Sequence, residues 1–156
     1  MRGTLVCAVN GSDGRRALEL AVVLSERLGL RLVLAHISDG IASVAGHDDG
    51  EQSVSMKANR ESAARVLARL TAEYGIADRA EHRSGSGDAA ALIGQIAAEE
   101  AADLIVVGSH LRGRLRRGLE SRLGEQLASE TPVPVLIAPP RTPWSGENGR
   151  MNGGQR

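Results

Sequence analysis

Phenylalanine is absent from this chain, and Tyr74 and Trp144 are its only aromatic residues among 156. Any core must therefore be built from Ala, Leu, Val and Ile. Cysteine occurs once, at Cys7, which excludes an internal disulfide and a cysteine-ligated metal cluster. Charge of one sign is not in excess: 19 Lys and Arg residues face 19 Asp and Glu. No global field draws in nucleic acid. No apolar run approaches membrane-spanning length, and the opening MRGTLVCAV has no long apolar h-region. A soluble, cytoplasmic protein is expected, with neither nucleic acid nor a membrane as partner.

The length suits one domain with a substantial core. Residues 1–140 carry the patterned sequence, and 141–156, rich in Gly, Asn, Arg and Pro, read as a disordered tail. Thr4 to Val9 is a short apolar run ended by Asn10-Gly11-Ser12-Asp13-Gly14, with Ser12 or Asp13 as candidate N-cap. Ala17, Leu20, Ala21, Leu24 and Leu28 recur at helical spacing, and Gly29 closes that helix. A second strand covers Leu30 to Ile37. Residues 38–50 read as a mobile loop, followed by a helix from Ser53 to Tyr74 with Ala63, Val66, Leu67, Leu70 and Tyr74 on its apolar face. Ala77 to His82 is a weak third strand, polar enough for a sheet edge. Residues 84–87 read as a turn, with Asp88 as N-cap of a helix whose face is Ala89, Leu92, Ile93, Ile96 and Ala97.

The central stretch is 102–122. Leu104-Ile105-Val106-Val107 is β-branched and too short for a helix, so it reads as a strand buried on both faces. Gly108 and Ser109 end it, a basic loop follows, and Leu119, Leu123 and Leu127 begin a new helical pattern. A strand, a glycine and a loop leading to a helix N-terminus can present N–H groups to a phosphate. Thr131-Pro132 breaks the last helix, and Val133 to Ala138 is a fifth strand. Alternating strands and helices predict an α/β domain, a parallel sheet with helices on both faces. Ligands of such sheets bind beyond the carboxyl ends of the strands, where the strand order reverses. Asn10 and Gly108 line one crevice if the first and fourth strands are neighbours.

Three segments resemble the universal stress protein family: Val6-Cys7-Ala8-Val9-Asn10-Gly11-Ser12 with Arg16-Ala17-Leu18, Ala102 to Ser109, and Thr131-Pro132-Val133-Pro134-Val135-Leu136. The resemblance spans nearly all of 3–138. It implies a single three-layer α/β/α domain with a five-stranded parallel sheet in the order 3-2-1-4-5. It also implies a homodimer paired through the last strand, at Val133, Val135, Leu136 and Ile137. Nucleotide-binding members of the family carry a glycine, two residues, a second glycine, nine residues, then Gly-Ser or Gly-Thr.

In this chain Gly108 takes the first glycine position, but Leu111 stands at the second, Ser121 at the third and Arg122 at the hydroxyl position. Asn10 replaces the acidic residue that often ends the first strand. A leucine fills space that a phosphate would approach, whereas Ser121 can donate a hydrogen bond. Arg112, Arg114, Arg116, Arg117 and Arg122 can supply charge-assisted contacts; a solvated loop is the plainer reading of each. The resemblance implies ATP or AMP held by Ala8, Val9, Asn10, Ile37, Ser38, Val107, Gly108, Ser109, Leu111, Arg112, Gly113, Ser121, Arg122 and Leu123. The alternative is the same fold without nucleotide, acting through protein contacts.

Little in the sequence suggests catalysis beyond weak nucleotide hydrolysis. There is no Gly-x-Ser-x-Gly elbow or Walker loop, and Gly85-Ser86-Gly87 lacks the third glycine of a dinucleotide fingerprint. His36, His47, His82 and His110 show no metal-ligand spacing. His36 reads as a core histidine and Cys7 as an inert buried thiol. Asp48-Asp49 and Glu99-Glu100 read as solvated surface.

Overall fold

Strands and helices alternate along the chain: β1 (Thr4–Ala8), α1 (Gly14–Leu28), β2 (Arg31–Ser38), α2 (Asp49–Glu73), β3 (Ala80–Ser86), α3 (Ala89–Glu99), β4 (Leu104–Gly108), α4 (Leu123–Glu130) and β5 (Val135–Ala138). The computed structural model describes residues 2–9, 14–38, 49–109 and 123–139. The five strands form one parallel sheet in the order β3-β2-β1-β4-β5. The α/β class and the strand order agree with expectation.

Helices on both faces explain the continuous apolar strands. Leu5, Cys7 and Val9 of the first strand segment share one core with Ala17, Leu18 and Ala21 of α1 and Leu67 of α2. Val6 and Ala8 share the other with Ile93, Ile96 and Ala97 of α3 and Leu127 of α4. Side chains alternate across a strand, so a strand sandwiched between helix layers has no polar face. Both cores are almost entirely aliphatic, and Tyr74 packs at the rim of the first.

Helix ends follow their local chemistry. Gly29 has φ +66°, and Leu30 N–H donates back to the Ser25 carbonyl at 2.8 Å, satisfying an otherwise orphaned helix carbonyl. Asp88 caps α3 by accepting from Ala91 N–H at 2.8 Å. The expected face of α1 holds except at Leu28, which is 61% exposed where the chain turns away at Gly29. On α2 the buried stripe is Ala63, Leu67 and Thr71, leaving Val66 exposed.

The third strand lies further along than the sequence suggests. Residues 77–79 are taken by a turn in which Arg79 and Ala80 N–H groups both donate to the Ile76 carbonyl at 3.0 Å. Gly85, read as part of a turn, lies inside β3 opposite Ile37. A Cβ there would sit 3.2 Å from Leu92 Cδ1 and 3.4 Å from Ile37 Cδ1, so glycine lets α3 settle closely on the strand. The edge placement of β3 agrees with its polarity. At the other edge β5 begins at Val135 rather than Val133, although the Pro134 carbonyl already accepts from Ile105 N–H at 2.9 Å.

Candidate functional site

The strand order reverses between β1 and β4, and there the sheet splits. The β1–β4 ladder ends at Cys7 opposite Val106. Each strand then runs on with its outer neighbour only. β1 stays paired with β2 to Ala8, and Val9 N–H donates to the Ala35 carbonyl at 2.9 Å. β4 stays paired with β5 to Gly108, and Ser109 N–H donates to the Ala138 carbonyl at 3.0 Å. The reversal point at the carboxyl end of the sheet, beyond the end of this ladder, is the crevice position at which α/β proteins place their ligands. α1 starts against one wall: a Cβ on Gly14 would lie 3.0 Å from the Val9 carbonyl carbon.

Of the expected nucleotide residues, Ala8, Val9 and Val107 are buried at the tips of β1 and β4, and Ile37 is buried near the end of β2, opposite Gly85. Their side chains belong to the two cores, so they offer a ligand main chain and van der Waals surface. Ser38 ends β2, but its polar groups hold the turn after β3: its hydroxyl donates to the Gly85 carbonyl at 3.3 Å, and its carbonyl accepts from Gly87 N–H at 3.1 Å. Gly108 and Ser109 close the β4 side, and Leu123 opens α4 beside the second core. Asn10, Leu111, Arg112, Gly113, Ser121 and Arg122 lie outside the described residues, as do His47, His110 and the arginines at 114, 116 and 117.

Ser109 is the polar anomaly of the crevice. Its Oγ is buried and has no hydrogen-bond partner among the described residues. Alternation along β4 puts it on the face of Ile105 and Val107, the side covered by α3 and α4. Leaving a buried hydroxyl unsatisfied costs about 1–3 kcal/mol. A ligand oxygen in the crevice is the kind of group that would satisfy it.

At the far edge, Val133 and Val135 are half-buried, and Leu136 and Ile137 are 36% and 45% exposed. Pro134 and Ala138 face β4, so ladder alternation turns the N–H and C=O groups of Val135 and Ile137 outward. An apolar edge of this kind invites a second strand.

Among the described residues, burial shifts the titration of Cys7 and His36. Cys7 is fully buried, and burial pushes its thiol pKa far up, as expected of an unreactive core cysteine. His36 is half-buried on β2, and burial lowers its pKa. Among the described residues no group of three His, Cys, Asp or Glu is placed to hold a metal, and no helix is long and apolar enough to cross a membrane.

Glu100 overturns the reading of Glu99-Glu100 as solvated surface. Glu99 is exposed, but Glu100 is only 8% exposed. It accepts from Arg31 Nη2 at 2.6 Å and pairs with Arg83. Arg31 also reaches Glu81 at 2.7 Å. Nearby, the Asp103 carboxylate accepts from Thr4 N–H at 2.8 Å, and Asp103 N–H returns a bond to the Thr4 carbonyl. This network ties β1, β2, β3 and the end of α3 at the pole opposite the crevice. The arginine bonds hold the Glu100 carboxyl below the usual range. A sequence signal existed: Ile93, Ile96, Ala97 and Glu100 share one helical stripe.

Comparison with known proteins agrees with this architecture. The model of the universal stress protein family matches residues 1–139. A curated protein of Thermus aquaticus, "Universal stress protein in QAH/OAS sulfhydrylase 3'region", is 30% identical over 135 residues, covering 86% of this chain and 96% of that protein. A solved structure from the same family, from Burkholderia pseudomallei, superposes with a TM-score of 0.63 at 26% identity, covering 88% of this chain and 96% of its own. Another, a universal stress protein solved in complex with cAMP, gives a TM-score of 0.63 at 20% identity over 86% of this chain and 95% of that one. With its matching sequence, five-stranded sheet and strand order, this chain belongs to the universal stress protein family.

Proposed function

We propose that this chain is a cytoplasmic, dimeric binding module that holds an adenine nucleotide, ATP or AMP, in the crevice between the tips of β1 and β4. It acts by binding and not by turnover. The observation that carries the reading is the buried, unpartnered Ser109 Oγ at the point where the β1–β4 ladder has ended. Gly108 beside it lets a ligand approach the main chain, and Ala8, Val9 and Ile37 supply an apolar wall for a base. A universal stress protein of the same fold was solved in complex with cAMP, which supports a nucleotide as the class of ligand. The departures from the family motif at Leu111, Ser121 and Arg122 move phosphate binding from glycine backbone toward hydroxyl and guanidinium groups. The second copy pairs along Val133, Val135, Leu136 and Ile137.

The test is direct. Purified protein is denatured and filtered, and the filtrate is analysed for ATP, ADP and AMP; melting is then followed with and without added ATP. Ligand at a hundred times its Kd adds about 2.7 kcal/mol, which raises Tm by roughly 5–10 °C for a domain of this size. No released nucleotide and no shift would favour the second reading, in which the same fold works through protein contacts. The exposed Leu136 and Ile137 on the outer edge favour that second reading.

A further inference from the structure

The crevice and the free edge share parts. Past Cys7 and Val106 the tip of β4 is no longer laddered to β1 but remains bonded to β5, ending in the Ser109–Ala138 hydrogen bond. The tips of β4 and β5 therefore form one unit, separable from β1. On the α4 side there is no slack between them. Gly124, in the first turn of α4, lies so close to Ile137 that a Cβ would fall 2.6 Å from Ile137 Cγ1 and 3.5 Å from Val107 Cγ2. Val107 is a crevice residue with no exposed surface; Ile137 is the most exposed apolar residue of the outer edge.

We propose that occupancy of the crevice is transmitted to the β5 edge, through Val107 and the first turn of α4 onto Ile137, and through Ser109 onto Ala138. The proposal rests on the reading of the crevice as a nucleotide site. A ligand that engages Ser109 Oγ fixes the residue whose N–H holds the end of β5. A shift of the start of α4 changes the surface on which the Ile137 side chain rests, because Gly124 lies directly against it. Ile137 also presents its backbone groups outward, so whatever pairs with this edge meets a strand whose position depends on the crevice. The coupling is reciprocal: a partner strand on β5 changes nucleotide affinity by the factor by which nucleotide changes pairing, typically about 5–150-fold.

The experiment uses the full chain with 13C-labelled valine methyl and isoleucine δ-methyl groups, titrated with ATP while binding heat is recorded in parallel. Val9, at the tip of β1, reports the crevice, Ile137 reports the edge, and Ile76, which precedes β3 at the other end of the sheet, is the control. Val9 and Ile137 are expected to shift with one common apparent Kd while Ile76 stays in place. Amide exchange at Leu136 and Ala138 is expected to slow by about five-fold or more at saturation. A bound nucleotide that moves Val9 but leaves Ile137 and both amides unchanged overturns the coupling and leaves the nucleotide reading intact. No binding heat and no shift at Val9 overturns the nucleotide reading, and the coupling with it.

Discussion

Replacing Glu100 by Gln tests whether the pole opposite the crevice holds the sheet together electrostatically. The substitution keeps the shape of a side chain that is 6% exposed and removes only its charge. Two guanidinium groups then lose their charged acceptor. A hydrogen bond to a charged group contributes about 1.5–3 kcal/mol, so two fully buried ones would approach 5. The side chains of Arg31 and Arg83 are 37% and 46% exposed, however, and water re-solvates them when the carboxylate goes. Arg31 also keeps Glu81. A loss of about 2 kcal/mol at pH 7 remains after that discount. With an m-value of about 2 kcal/mol/M in urea, the midpoint should fall by roughly 1 M with m unchanged. The pH dependence provides a second check. Because the folded-state pKa of Glu100 lies below its usual value of about 4.5, its contribution is complete above that unfolded pKa. It is lost as pH falls from there through the lowered folded value. The stability gap between wild type and Glu100→Gln should therefore be constant near neutrality and close in acid. An unchanged midpoint at pH 7, or a gap indifferent to acid, would refute the account.

Other expectations concern the crevice, a cap and the core. Ser109→Ala removes the unsatisfied hydroxyl, so the nucleotide-free protein should hold or gain stability, by up to about 1–3 kcal/mol, while the thermal shift on adding ATP shrinks; a loss of stability without ligand would show that Oγ is satisfied. Asp88→Ala removes the acceptor for Ala91 N–H and should cost about 1 kcal/mol by urea titration. Gly29→Ala forces a Cβ into a left-handed backbone at φ +66° and should cost about 1–2 kcal/mol, although open space surrounds the position. Cys7 should resist a thiol reagent until the chain unfolds, because it is both inaccessible and held protonated; fast labelling of the native protein would contradict its burial.

Much of the architecture was legible because the strands announce themselves. Runs such as Leu104 to Val107 are apolar at every position, and only a strand covered on both faces needs that. The neighbouring of β1 and β4 was implied by family resemblance, since local pattern carries no information about strand order. Features set by contacts between distant residues were missed. Gly85 reads as a turn until Leu92 is seen resting on it. Leu28 fits the helical period but stands where α1 leaves the sheet. Glu100 hides behind its exposed neighbour Glu99, even though it continues the stripe of Ile93 and Ile96. The tips of the candidate site were marked by Gly108 and Ser109, but nothing local shows that the Ser109 hydroxyl lacks a partner among the described residues, because that depends on what distant elements leave uncovered.

The two ends of the sheet are held unequally, and this bears on how the sequence can drift. One end is stitched across the central strands by Thr4, Arg31, Glu100 and Asp103; the other is a jaw whose two halves each hang from an outer strand. Substitutions at the jaw can loosen that end without unpicking the stitched one. The open end can thus change residue by residue while the scaffold stands on the stitched one.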